Sequence, residues 1–462
     1  MVVKENLKLA KNQLKKSFFK VMISEAKKIQ RSSTHQQVNH FTLTVPHIGE
    51  TVTRWLNWLG DDEIIHSFLG LGYFYEGQAN YTQAASWLIV GSDMAKTRLG
   101  QQHPDVATLL NTLAEIYRIQ GRYREAESHY LQALSIRETK LGVTHLDTAV
   151  TLSDLAGLRK AQGHYAESEL GYLKVLSIQK DKIGSEHPNT AITVNNLATL
   201  YDSQGRYSEA EPLYLEALAI WKHHLGMEHP NVATCFSNLG LLYRNQQYYD
   251  KAEPLYLQSL EIRSRQLGKD HPETAISLNN LAGLYSLQER YGEAESLYRE
   301  ALVVRELQFG PEHPLVAQSL NNLAVLLDRH LRCSDEAEQL YLRSLSIRES
   351  IYGNSHSEVA NSFYGLAGFY GSQGRYRDAE AAHLKSQEIL TNCLGDEHRI
   401  TVMVKQNFED FLEKVIQEDQ IGALSEHIIT QKLLRVILSR ERHQDNLRSR
   451  TIEKNDRRSI TP

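Results

Sequence analysis

A glycine followed three residues later by a histidine recurs through most of this 462-residue chain. The pairs Gly100/His103, Gly142/His145, Gly184/His187, Gly226/His229, Gly268/His271 and Gly310/His313 each fall 42 residues after the last. Gly353/His356 comes 43 later and Gly395/His398 a further 42, the extra residue lying in Leu331-Arg332-Cys333-Ser334, which replaces a short turn. A period held through eight copies restricts the chain to a repeat architecture, in which each unit buries its apolar face against its neighbours.

One period reads as helix, turn, helix. After His103, Pro104 fits a first helical turn, where its missing N–H costs nothing. Val106, Leu109, Leu110, Leu113, Ala114 and Tyr117 then recur at helical spacing. Gly121 breaks this stripe, and Tyr123, Ala126, Tyr130, Ala133, Leu134 and Leu141 form a second one before Gly142. Pro212 and Pro254 are expected in about the first turn of their second helices, where a lost donor is tolerated. Ala114, Ala156, Ala198, Gly240, Ala282, Ala324 and Ala367 share one column, and Ala126, Ala210, Ala252, Ala294, Ala337 and Ala379 another. Small columns let helices approach closely, and large ones fill the space between. Three tyrosine columns absorb 19 of the 23 tyrosines, a regularity that belongs to a core rather than to catalysis.

Leu110-x-x-Leu113-Ala114-x-x-Tyr117 followed by Ala126-x-x-x-Tyr130-x-x-Ala133 resembles the tetratricopeptide repeat, with Leu in place of its usual Trp. The 42-residue form, with Ala133-Leu134-Ser135-Ile136-Arg137-Glu138, Leu225-Gly226-x-x-His229-Pro230 and Leu278-Asn279-Asn280-Leu281-Ala282, resembles the array of kinesin light chains. The likeness is strong over 100–395 and weaker over 60–99. Val45-Pro46-His47-Ile48-Gly49-Glu50 and residues 68–77 resemble the lead-in to such arrays in bacterial, especially cyanobacterial, NB-ARC-type signalling ATPases, where the repeats are the sensor. No G-x-x-x-x-G-K-[ST] phosphate loop occurs in the sequence. Residues 1–60 show no sustained heptads of the kind through which kinesin light chains bind their motor.

The resemblance implies an all-α, right-handed superhelical solenoid of antiparallel helix pairs, with the first helices lining a concave groove that holds a peptide or protein partner. The expected organisation is a basic N-terminal segment and cap (1–60), a degenerate first repeat (61–100), seven repeats (101–395), divergent capping helices (396–442) and a basic disordered tail (443–462). Ligand-contacting columns of the fold fall on Asn111, Asn195, Asn279 and Asn321, and beside them on Asn196, Asn238, Asn280 and Asn322. An amide carries both donor and acceptor, so a ladder of asparagines can pair with the backbone of an extended peptide whatever its sequence. The same amides can instead bond to neighbouring helices and hold the stack. Arg118, Lys160, Arg244 and Arg329, one column past the tyrosines, offer positive points suited to an acidic group or are solvated surface.

Charge is unevenly placed: residues 1–31 carry +7, residues 435–462 carry +4, and the body between them −16. An acidic body lacks the basic footprint that nucleic acid requires. The basic ends are read as solvated, with weak contact to anionic surfaces as the alternative, and the tail could dock in the groove. Residues 32–60, with Trp55, Leu56, Trp58 and Leu59, are expected to cap one end of the array. Thr401–Gln417 and Ala423–Glu441 are read as two amphipathic helices capping the other.

Three cysteines spaced 98 and 60 residues apart match neither a disulfide framework nor a zinc site. With no apolar run of membrane-spanning or signal-peptide length, they point to the cytoplasm. The eight column histidines stand one per repeat and are expected to cap helices rather than converge on a metal. His223, His224 and His229 straddle a helix end. No catalytic motif is present, so no catalytic residue, cofactor or metal is expected, and the chain is read as a scaffold.

Overall fold

The computed structural model describes residues 2–29, 41–55, 58, 60–331 and 333–440, which contain helices and no strand. They fall into two compact units, Met1–Gly353 and Asn354–Pro462. The first unit opens with α1 (Val2–Ala26) and α2 (Val45–Arg54). Seven helix pairs follow: α3/α4 (Asp61–Gly77, Tyr81–Leu99), α5/α6 (Pro104–Ile119, Tyr123–Lys140), α7/α8 (Leu146–Ala161, Tyr165–Lys182) and α9/α10 (Pro188–Ser203, Tyr207–Leu225). Then come α11/α12 (Pro230–Asn245, Tyr249–Gln266), α13/α14 (Pro272–Leu287, Tyr291–Phe309) and α15/α16 (Pro314–Leu326, Ser334–Tyr352). The second unit contains α17 (Ser357–Ser372), α18 (Tyr376–Leu394), α19 (Arg399–Gln417) and α20 over 428–440.

The repeat signature makes the helix boundaries. Gly100 and Gly142 take φ of 92° and 100°, a region that costs a glycine little, so the second helix stops there. Three residues on, the histidine's Nδ1 accepts the N–H of the residue two further along, as in His103 with Asp105 at 3.2 Å. The same cap opens α7, α9, α11, α13, α15, α17 and α19. At the turn inside four of the pairs an arginine lies on the last tyrosine of the first helix, as with Arg206 over Tyr201 at 3.9 Å and Arg290 over Tyr285 at 3.6 Å. Arg206 and Arg290 also pair with Glu169 and Glu253 of the preceding unit at 2.8 Å, which clips consecutive pairs together.

A column of buried arginines, Arg137, Arg263, Arg305 and Arg348, runs along the second helices. Arg137 donates to Thr108 Oγ1 of its own first helix and to Thr151 Oγ1 of the next. Arg263 repeats this with Thr234 and Ser277 and adds an ion pair to Glu273 at 3.0 Å. Burial pulls the Arg305 guanidinium down to about 10, still charged at neutral pH, and it donates to Leu315 O, Gln318 Oε1 and Ser319 Oγ. A guanidinium with several donors thus fastens three helices at once.

Four expectations change. Pro212 and Pro254 sit at the sixth position of α10 and α12, beyond the first turn, so each removes one backbone bond from a helix that nevertheless continues. The residue inserted near 331 is absorbed by a π-helical stretch, Leu327–Leu331, at the end of α15. The basic N-terminal helix is not simply solvated: Phe19, Met22, Ile23 and Ala26 are buried. A side chain at Gly70 would collide with the Ala26 carbonyl, so glycine there lets α1 lie directly on α3 and cap the array. Trp55 and Trp58 stack at 5.5 Å beside it, while Leu56 and Leu59 lie outside the described residues. The last helix begins at 428 rather than 423, after a short 3₁₀ turn (Ile421–Ala423), with His427 capping Ile429 N–H. The tail 443–462 lies outside the described residues.

Candidate binding groove

Within the first unit, consecutive first helices touch one another more closely than consecutive second helices do. First helices therefore form the inner wall of the curve. On α5 the residues left partly open are Asp105, Thr108, Asn111, Glu115 and Arg118, one face at spacings of three and four. The equivalent positions bring exposed Val150 and Ile192 onto α7 and α9.

The asparagine columns fall on this face and divide into two kinds. Asn238 Nδ2 donates to Asn195 Oδ1 at 3.0 Å, and Asn322 Nδ2 to Asn279 Oδ1 at 3.5 Å. Asn279 Nδ2 reaches Ala275 O and Ser319 Oγ, and Asn111 Nδ2 reaches Asp154 Oδ2 at 2.8 Å. Each such rung joins one first helix to the next, and Asn195 and Asn279 are buried by it. Asn196 and Asn280 belong to the same columns but make no side-chain hydrogen bond among the described residues. The reason is in the column before them: the positions they would reach are Ser153 and Ser237, and Ser237 is already bonded to Ser259 at 2.7 Å. Asn321, whose rung position on the next first helix is Gly365, leaves a buried Oδ1 without a partner. Alternate rungs are thus closed and open.

The four cations also separate. Arg118 is held by Glu115 through two bonds of 2.7 and 2.6 Å, and Glu115 also accepts the Tyr130 hydroxyl. Its charge is neutralised in place, unlike the free positive point expected from the column. Arg329 lies in the π-helical stretch and is exposed. Among the described residues Lys160 and Arg244 form no salt bridge, and they stand either side of Asp202 on the inner wall. Burial raises the Asp202 carboxyl, opposed by an Asn245 hydrogen bond and by the charges of Lys160 and Arg244. Burial lowers the Lys160 ammonium, with Asp202 opposing.

Behind the wall, Tyr214 donates to Thr199 Oγ1 at 3.1 Å, and the Tyr256 hydroxyl is buried without a partner against Gly240. Burial raises the Tyr172, Tyr256 and Tyr298 hydroxyls to about 12, so these groups stay protonated and serve as packing. Asp154, a member of the second column, and Glu115 and Asp202, which the column reading passed over, decide which amides and cations are occupied. Their signal was present as acidic residues within otherwise neutral or basic columns.

The histidine column is committed to capping. His223 and His224 touch edge to face at 4.8 Å, while His229 uses Nδ1 for its cap. Among the described residues no three His, Cys, Asp or Glu side chains converge as a metal ion would need, and no helix is long and apolar enough to cross a membrane.

A family model described as tetratricopeptide repeat matches residues 63–139, 105–181, 147–223, 231–306, 284–335 and 316–392. A second model with the same description matches 195–266. Among solved structures, the chain is similar to BtubC (BKLC) from P. vanneervenii, at 25% identity over 51% of this chain and 93% of that one, with a TM-score of 0.42. It is also similar to a putative kinesin light chain from Podosopora anserina with nearly identical TPR-like repeats, at 26% identity over 44% and 97%, TM-score 0.37. The Rap protein complexed with Competence and Sporulation Factor shares the fold at 12% identity over 81% and 98%, TM-score 0.53. A search of curated proteins returns no match.

Proposed function

The chain belongs to the tetratricopeptide-repeat family, and from that premise we propose that it is a non-catalytic scaffold whose inner wall holds an extended peptide segment of a protein partner. The observation that carries this reading is the alternation of rungs. Asn195 and Asn279 tie the wall together, whereas Asn196 and Asn280, half-buried on the same face, keep donor and acceptor unspent. An extended peptide presents N–H and C=O groups at a regular rise that such amides can pair with. Lys160 and Arg244, two cations flanking the single carboxylate of Asp202, add net positive charge to that path, which suits an acidic residue in the partner. Three cysteines without a disulfide fit a reducing, cytoplasmic setting.

The test separates binding from folding. Asn196→Ala/Asn280→Ala is expected to keep the thermal midpoint and to lose the partner captured by the wild type from native lysate. Asn195→Ala/Asn279→Ala is expected to lower the midpoint, because each change leaves a neighbouring amide unsatisfied at about 1–3 kcal/mol. Equal capture by wild type and Asn196→Ala/Asn280→Ala would remove the wall amides from recognition.

A second reading, a sensor acting in trans on a separate NB-ARC-type signalling NTPase, draws on residues 45–50 and 68–77. Residues 45–50 and 68–77 lie in helices α2 and α3. Recovery of a nucleotide-binding partner in the same capture would favour it.

A further inference from the structure

The two edges of the first unit meet. Tyr81 is the first residue of α4 and stands at the turn inside the first helix pair. Tyr352 is the last residue of α16 and stands at the opposite end of the seventh pair's second helix. In a stack of antiparallel pairs these positions belong to opposite edges, so they come together only where one superhelical turn overlies the next. Their rings nevertheless stack, with centroids 6.0 Å apart and planes 9° from parallel. Tyr81 is buried, and Ile351 and Tyr352 pack against the apolar cluster of the first pairs.

The sequence is arranged for this contact at one place. The column that holds Tyr352 carries Leu99, Leu141, Ile183, Leu225, Leu267 and Phe309 in the earlier repeats. Aliphatic residues dominate there, and a phenol with a flat face appears where the turn closes. Offset aromatic pairs attract one another beyond their buried area, and a hydrogen bond joins the Tyr81 and Tyr352 side chains. A local contact of this kind biases a soft solenoid, in which each pair contacts only its neighbours and small rotations accumulate.

We infer that the Tyr81–Tyr352 stack is a releasable clasp that holds the seven pairs in one closed turn and restricts the inner wall to slender ligands. With the clasp shut, consecutive turns touch edge to edge and the wall is reached along the superhelix axis, a path open to an extended chain. With it released, the turn widens and a bulky partner gains the wall from the side. This deepens the groove reading and rests on it, but the existence of the clasp is measured without any partner.

The measurement uses the full chain with Cys333→Ser and Cys393→Ser. Cys235 stays, because burial pushes its thiol up to about 12. Nitroxides are placed on two exposed serines, Ser86→Cys and Ser346→Cys, and their separation is read by pulsed electron resonance. Wild type and Tyr352→Phe, which keeps the stack and loses only the hydroxyl bond to Tyr81, are expected to give one narrow distribution, and Tyr352→Ala a longer and broader one at unchanged helicity. A broad wild-type distribution, or an unchanged Tyr352→Ala distribution, would overturn the clasp. Gating is read separately at Ile192→Cys on α9. Tyr352→Ala is expected to react several-fold faster with a polyethylene-glycol maleimide while its rate with N-ethylmaleimide stays the same. Equal polymer rates in a chain whose distance distribution has opened would overturn the gate and leave the clasp as architecture.

Discussion

Taken from neutral pH to about pH 5, below the ordinary histidine range near 6.5, the protein is expected to unfold at a lower temperature. Eight helices begin at a histidine whose Nδ1 accepts a backbone N–H at 3.0–3.2 Å. Acceptance requires the neutral ring with its proton on Nε2, a tautomer assigned from this role. Protonation turns the acceptor into a donor facing a donor, and it places a cation at the positive end of the helix dipole. A cap is worth about 0.5–2 kcal/mol, which is what protonating His271 removes.

The sign follows from groups that favour the neutral ring when folded. Burial lowers His271, against Glu273, with Arg263 adding to the shift. Burial between Phe408 and Phe411 pushes His383 down to about 4. A base whose folded value is depressed contributes its full stability above the unfolded value near 6.5 and loses it as pH falls toward the folded one. For His383 the window is therefore about 6.5 down to 4. Replacing His271 with asparagine, an uncharged cap, should leave the melting temperature near its wild-type value at neutral pH and flatten part of its dependence on pH. An unflattened profile in that variant would move acid sensitivity elsewhere.

Glu380→Ala is expected to release the C-terminal segment of the second unit. The carboxylate is buried on α18 and accepts from Ser425 N–H and Ser425 Oγ at 2.7 Å, and from Thr430 Oγ1 at 2.5 Å. Three donors on one carboxylate fasten the turn before α20 and its first residues. Beyond it Leu434 and Ile437 pack with Phe408, Leu412 and Val415. Bonds to a charged group contribute about 1.5–3 kcal/mol each, and deletion also strands buried donors, so a local loss of about 3–5 kcal/mol follows. Hydrogen exchange should show 425–440 losing protection while α17 and α18 keep theirs. Glu380→Gln, which retains one carbonyl acceptor, should fall between. Uniform loss across the unit in Glu380→Ala would mean that the carboxylate holds the whole fold rather than its end.

Much of this was legible because the period repeats each message eight times. The Gly-to-His spacing marks both the stop of one helix and the cap of the next, and the Ala and Tyr columns mark the close and wide parts of the stack. What a single column does not display is its pairing with the column beside it. Asn196 and Asn195 look alike in sequence, yet one is open and the other closed, and the difference lies in Ser153 and Asn238 of neighbouring repeats. Arg118 looks like Arg244 until Glu115, one helical turn before it, is counted. The role of α1 was hidden because its lysines dominate the composition, whereas Phe19, Met22 and Ile23 sit on one face. The Tyr81–Tyr352 stack was out of reach, since it depends on the sum of small rotations over seven pairs rather than on any local pattern.

The central claim is that the partner lies on the first helices. A photo-crosslinking residue placed at Ile192 on α9, and in a second protein at the exposed Leu170 on α8, tests it in one gel. Crosslinks to the captured partner from position 192 and none from 170 are the expected result. A crosslink from 170 with none from 192 would place recognition on the second helices and contradict the account.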